Sequence, residues 1–300
     1  MKAPVILSAF FVMGTAWAWA GLPGEGKKIV FVAGTPSHGY GAHEFNAGCL
    51  LMANRLREAM PGLETAVHFN GWPDEAEAAF EGADSVVIFS NGGEGHLIRE
   101  HLEEVDALLE SGAGLVCLHY AVEVPAGPMA ERLLRGIGGY FEMHWSVNPH
   151  WTAEFKEIPE HPVTRGVEPF RIEDEWYYHM RFVEGMEGVV PVLSAHPPAR
   201  TLERPDGPHS GNPAVRRAVA DGKIQHLAWC FEREGGGRGF GCTGLHYHRN
   251  FMDDNLRKLV LNAIVWTAGI EASERGLDTT TPSAEEIEAN QDYPKPEKES

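Results

Sequence analysis

The chain has 300 residues, 43 Asp and Glu against 25 Lys and Arg, and a formal charge of −18 at pH 7. So acidic a chain is repelled by phosphate backbones and anionic membranes, which excludes nucleic acid as the expected partner. The length suits one large α/β domain or two small ones, and four cysteines are too few for a disulfide scaffold.

Residues 1–20 read as a secretory signal. Lys2 supplies the positive start, 5–12 the apolar stretch, and Ala18-Trp19-Ala20 the small-residue cleavage site before Gly21. No other apolar run is long enough to cross a bilayer. The expectation is a periplasmic or secreted protein with no integral span after cleavage.

Residues 28–33 predict a first strand, running into a Gly- and Pro-rich loop at 34–44. A helix is expected over 43–60, where Phe45, Cys49, Met52, Leu56 and Met60 share one stripe and Pro61-Gly62 ends it. A strand at 65–69, a short helix at 74–80 and a strand at 85–90 follow. The glycine loop 91–96 then leads into an amphipathic helix over 97–109. Residues 115–118 form a continuous apolar run entered from a glycine turn, the pattern of a strand covered on both faces. It ends in His119. Strand and helix alternating in this way predict a parallel, doubly wound sheet, whose ligands bind beyond the carboxyl ends of the strands.

After Pro125 the pattern loosens. A turn or two of helix is expected at 129–134, then strands at 151–155, 170–172, 189–194, 215–220 and 224–229. Four prolines mark 198–213 as a surface loop. This half reads as a β-rich elaboration of the same domain, which spans 27–270. A closing helix at 253–268 turns Leu256, Leu259, Val260, Ala263 and Ile264 inward. Residues 271–300 are acidic, contain proline and lack apolar periodicity, and so are expected to be disordered. Cys49 and Cys117 fall in core patterns. Cys230 and Cys242 flank a glycine-rich turn, where a disulfide and two buried free thiols are both open readings.

Fifteen histidines is heavy use, and several fall where this fold builds its site. His38, His43 and Glu44 follow the first strand, Glu94 and His96 the third, and His119 the fourth. Gly244-Leu-His246-Tyr-His248 lies before the closing helix. Histidine is a frequent metal ligand and a general base near neutral pH. The candidate metal ligands are His38, His119, His246 and His248, around Zn²⁺ or a similar divalent ion. Asp174 and Glu175 precede Trp176 and Tyr177, and carboxylates beside aromatic faces suit a sugar. His119, Asp174 and Glu175 are the candidate catalytic groups; Tyr40, Glu94, Trp176 and Tyr177 are the candidate substrate contacts. No P-loop lysine, no Gly-x-Gly-x-x-Gly opening a helix and no Gly-x-Ser-x-Gly elbow is present, so no nucleotide is expected.

These pieces together resemble the ThuA-like, or trehalose-utilisation, family. The resemblance rests on the 34–44 loop, the Gly-Leu-Val-Cys-Leu-His119 strand and His161-Pro-Val-Thr-Arg-Gly-Val167. It continues through Ile172-Glu-Asp-Glu-Trp-Tyr177, the Gly-Arg-Gly-Phe240 hairpin with Gly244-Leu-His246, and Leu261-Asn-Ala-Ile-Val-Trp-Thr-Ala-Gly269. It implies a flavodoxin-like fold of the class I glutamine amidotransferase kind. It also implies a setting in sugar catabolism, around disaccharides oxidised to 3-keto forms. The family's Asp-Glu-x-Tyr is kept as Asp174, Glu175 and Tyr177. Leu245 interrupts its usual Gly-His, which makes His248 a competitor of His246. His119 and Tyr120 hold the place of the amidotransferase nucleophile and Cys117 lies inside the strand, so thiol chemistry is not carried over. The expected function is a carbohydrate-processing enzyme; the alternative is a non-catalytic carbohydrate-binding module in which Trp176 and Tyr177 carry the affinity.

Overall fold

A computed structural model describes Leu22 and residues 24–297. The segment expected to be a secretory signal, 1–20, lies outside the described residues. Among those described, no helix is long and apolar enough to cross a membrane.

The first half alternates as its periodicity dictates: β1 (Lys28–Ala33), α1 (Phe45–Ala59), β2 (Glu64–His68), α2 (Ala76–Phe80), β3 (Ser85–Phe89), α3 (Leu102–Glu110), β4 (Gly114–Leu118) and α4 (Pro128–Ile137). The second half adds β5 (Gly139–Tyr140), β6 (His150–Phe155), β7 (Phe170–Glu175), β8 (Arg181–Phe182), β9 (Val189–Ala195), α5 (Pro213–Ala220), β10 (Gln225–Glu232), β11 (Arg238–Cys242), α6 (Asp254–Thr267) and α7 (Ala284–Glu288). The main sheet has seven strands in the order β2-β1-β3-β4-β11-β10-β9. All neighbours from β2 to β11 are parallel, and β10 runs antiparallel to both β11 and β9. β6 and β7 form a separate antiparallel ribbon.

Strand side chains alternate between two cores. Phe31, Phe89, Val116 and Leu118 pack with α1 and α6, whereas Val32, Ile88, Leu115 and Cys117 pack with α3 and α4. Both faces of the sheet are covered, which is why these strands read as unbroken apolar runs.

Three expectations are corrected, and the open question at Cys230 and Cys242 is decided for free thiols. The 97–109 helix is two pieces, a single turn Leu97–Glu100 and then α3. The break comes at His101, whose ring stacks on Trp72 with centroids 4.9 Å apart. The strand expected at 215–220 is α5: Asn212 caps it by accepting from the Ala214 and Val215 N–H groups, and Pro213 opens it. Cys230 faces Phe240 and Cys242 faces Ala228 across the ladder, and both thiols are free and buried. The stretch read as disordered is, over its described residues 271–297, anchored to the domain. Ala272, Leu277 and Ile287 are buried in the main core, and Ser283 with Glu286 forms a capping box on α7. Three anchors at irregular spacing leave no period to detect.

Candidate metal centre

Three loops at the carboxyl edge of the main sheet and the end of one strand of the β6–β7 ribbon supply the site. His43 ends the loop after β1, at the entry to α1. His119 sits in the turn after β4, with φ at +52°, a left-handed conformation that costs an imidazole-bearing residue energy. Glu175 is the last residue of β7, and His246 lies in the loop after β11. β4 and β11 are parallel neighbours, so their C-terminal loops meet without a crossover.

Asp174 shapes that meeting. Its carboxylate is fully buried and accepts from the Leu245 and His246 N–H groups at 2.8 and 2.9 Å. It also accepts from the Glu175 N–H and the Asn250 amide, both at 2.8 Å. The bonds hold Leu245 at φ +81° and aim His246 inward. Successive strand residues point to opposite faces, so Asp174 braces the loop while Glu175 faces the histidines.

Four donor atoms then converge, all within 4.8 Å of one another: one each from His43, His119, Glu175 and His246. His43 Nε2 lies 2.9 Å from His246 Nδ1 and 3.1 Å from His119 Nε2. Glu175 Oε2 is 3.1 Å from His246 Nδ1 and 3.4 Å from His119 Nε2. The Tyr177 hydroxyl closes the back, 3.2 Å from His119 Nε2.

The tautomer of His119 follows from its partner. The Thr243 carbonyl, 2.8 Å from Nδ1, can only accept, so Nδ1 carries a proton and Nε2 is the ring nitrogen turned inward. Burial, then repulsion from His119, His38 and His246, pushes His43 far below the usual histidine range, leaving it neutral. Burial alone would raise the Glu175 carboxyl, but hydrogen bonds from His119 and His246 outweigh it and hold the group well below the usual carboxylate range. Three ring nitrogens and a carboxylate oxygen thus face one another at close range in a buried setting, an arrangement one shared cation satisfies. Three nitrogens and one oxygen at this spacing fit a zinc-type ion. The carbonyl of Thr243 on His119 and the Asp174 brace behind His246 are the outer contacts such ligands need.

A family model described as ThuA, trehalose utilisation, matches residues 58–267. The chain belongs to the ThuA family. Two solved structures share the ThuA fold. A ThuA-like protein from Bacteroides uniformis is 18% identical with a TM-score of 0.58, covering 85% of this chain and 95% of that one. Another from Parabacteroides merdae is 14% identical with a TM-score of 0.52, covering 85% and 98%. The glutaminase domain of Trypanosoma brucei CTPS is 9% identical with a TM-score of 0.46, covering 85% and 96%. No curated protein matches the chain. At 18% and 14% identity the likeness to the two ThuA-like structures is one of fold, and the fold is a mostly parallel α/β sheet of the flavodoxin-like kind.

In this ThuA chain the sequence-derived site is partly reassembled. His119, His246 and Glu175 meet, joined by His43, which the sequence places after the first strand but does not distinguish from its neighbours. His38 is outside the donor group: it is exposed and stacks on His43 at 3.6 Å. His248 also leaves the group. It is buried against Phe251, with neither ring nitrogen bonded within the described residues, and burial lowers its pKa to about 4. Asp174 is a brace rather than an acid. Trp176 is fully buried, its indole N–H given to the Ile172 carbonyl and its ring packed under Gly244, so it offers no face to a sugar. Tyr177 is buried behind His119. Tyr40 bonds Glu288, and Glu94 is an exposed partner of Arg99. The partly exposed rings around the donors are His38, Tyr120, His150 and Tyr247.

A second pair lies on the same edge. Glu123, buried to 1%, accepts from His209 Nε2 at 2.8 Å, and His209 stacks on Phe141. Its hydrogen bond to Glu123 raises the His209 pKa against the opposing effect of burial, with Glu175 adding and Arg204 opposing more weakly. A raised pKa stabilises fully below the unfolded value of about 6.5, and the gain is lost as pH climbs through the higher folded value. His209→Asn is therefore expected to lower the melting temperature most near pH 5.5. The gap to wild type should close in alkaline buffer; thermal scans across pH measure it, and a gap constant with pH would contradict the pair.

Proposed function

We propose that the chain is an enzyme holding one divalent ion of the zinc type on His43, His119, Glu175 and His246, and acting on a carbonyl-bearing sugar. The observation that carries this is the convergence of four inward-facing donors, with His119 turned by Thr243. The family description, trehalose utilisation, supports the sugar class. A bound ion would supply Lewis acidity to a substrate carbonyl oxygen, which makes the neighbouring C–H more acidic.

The residues around the donors supply the proton transfer. Asn91 gives its amide N–H to the Thr35 carbonyl, so its oxygen is free to accept from the Ser37 hydroxyl at 2.6 Å. Ser37 Oγ therefore accepts from His38 Nδ1 at 2.9 Å. That relay fixes the proton on Nδ1 and leaves His38 Nε2 as the base, on an exposed ring beside the centre. Tyr120, His150 and Tyr247 are placed to contact sugar hydroxyls and C–H faces. The buried Trp176 and Tyr177 remove the platform that a pure binding module was expected to use. The signal-like pattern of residues 1–20 supports export, which would make this a periplasmic or secreted enzyme.

Metal analysis of protein purified without added metal should find about one equivalent of a transition metal. Incubation with trehalose and its 3-keto derivative, followed by chromatography, should show consumption of the keto-sugar. His38→Asn should keep the metal and lose turnover by about 100-fold or more. A metal-free protein of full activity, or an undiminished His38→Asn variant, sinks the reading.

A further inference from the structure

His43 and His246 sit on one antiparallel bridge. Ala42 pairs with Tyr247, the His43 N–H donates to the His246 carbonyl at 3.0 Å, and the His248 N–H donates to the Gly41 carbonyl at 2.9 Å. Two of the four donors therefore share one backbone unit. That unit and its flanks are strained: His43 within it has φ +54°, and His38 and Leu245 before its two segments have φ +74° and +81°. Backbone of this kind relaxes unless its surroundings hold it.

What holds it from outside is Glu44 and the segment after α6. Glu44 is buried to 1%. Its Oε1 accepts from the Gly41 N–H at 2.9 Å, inside the His43 loop, and its Oε2 accepts from the Asp292 N–H at 2.8 Å. Asp292 Oδ1 in turn accepts from the Asn46 amide on α1 at 2.9 Å. Before it, Glu286 pairs with Arg55 at 2.6 Å, Ile287 is buried, and Glu288 accepts from the Tyr40 hydroxyl. One carboxylate thus links the loop that carries His43 to a segment nearly 250 positions away.

We propose that Glu44 and residues 283–292 are positioning elements of the metal centre, a clamp that keeps the Ala42–Tyr247 bridge in its strained, ligand-presenting form. The proposal rests on the metal reading and adds the device that preorganises it. Losing an outer contact of a metal site typically lowers affinity roughly 10–100-fold, and a loosened loop must also be re-ordered at each binding event.

The test uses the full chain. Asp292→Pro removes the N–H that Glu44 accepts; Glu44→Ala removes both links; Asp292→Asn keeps the N–H and an acceptor oxygen. Amide hydrogen exchange on the metal-free proteins should accelerate about tenfold at His43 and His248 in Asp292→Pro and Glu44→Ala. Interior amides of α1 should stay at wild-type rates, and Asp292→Asn should behave as wild type. Zinc affinity, read by competition with a chelating dye, should fall about tenfold in the first two variants, and the visible spectrum of their cobalt forms should change. Wild-type exchange and wild-type zinc affinity in both Asp292→Pro and Glu44→Ala would overturn the clamp. A wild-type protein that takes up no zinc would overturn the metal reading, while exchange on the metal-free chain still decides whether the segment holds the loop.

Discussion

Glu175→Gln is expected to purify folded and nearly metal-free. Wild type should carry about one equivalent of transition metal, and the variant less than a tenth of that by elemental analysis. The amide keeps the volume of the carboxylate but removes its charge, which is the only negative charge among the four donors. It also turns either a weaker oxygen or an N–H toward His119 and His246, which lie 3.4 and 3.1 Å from Oε2. Loss of a direct ligand should exceed the roughly 10–100-fold penalty of an outer contact. His38→Asn is the matched control, because that ring stacks on His43 without joining the donors. Equal metal content in Glu175→Gln and wild type would remove Glu175 from the centre.

Asp174→Ala is expected to be the most destabilising single change at the site. It leaves three backbone N–H groups and one N–H of the Asn250 amide, whose other N–H goes to the Glu173 carbonyl, without their acceptor in a buried setting. Breaking a buried charged network from one side costs about 3–5 kcal/mol. In a domain of this size that lowers the melting temperature by on the order of 10 °C. The variant should lose metal as well, since the Asp174 bonds orient His246. Calorimetry with and without added zinc checks both effects. A variant with wild-type melting would show that the 245–246 turn is held by other contacts.

The two neighbours Asp174 and Glu175 show what a linear reading can and cannot reach. Both are acids at the end of an apolar strand, and by residue type they are equivalent. The strand turns one toward the 245–246 backbone and the next toward His119. Trp176 and Tyr177 divide the same way, one under Gly244 and the other behind His119. Which parity faces the site depends on how the β6–β7 ribbon lies against the main sheet, and no local signal carries that. His43 was hidden for a related reason. In the sequence it is one of three ionisable residues after the first strand, and only the bridge to Tyr247 selects it over His38. The tail was missed because its anchors, Ala272, Leu277 and Ile287, follow no helical or strand period.

By itself the sequence determined the alternation of apolar strands and amphipathic helices in the first half, because burial on both faces of a parallel sheet demands those runs. It also determined that His119 stands at the end of a buried strand with Cys117 locked inside it, since a five-residue strand leaves little freedom in where it stops. The tertiary structure decided the rest. It chose His43 over His38 and His246 over His248, assigned Asp174 to bracing and Glu175 to the donors, and laid the 283–292 segment against Glu44. Each of those choices is a contact between residues far apart in the chain, set by loop packing rather than by propensity or period.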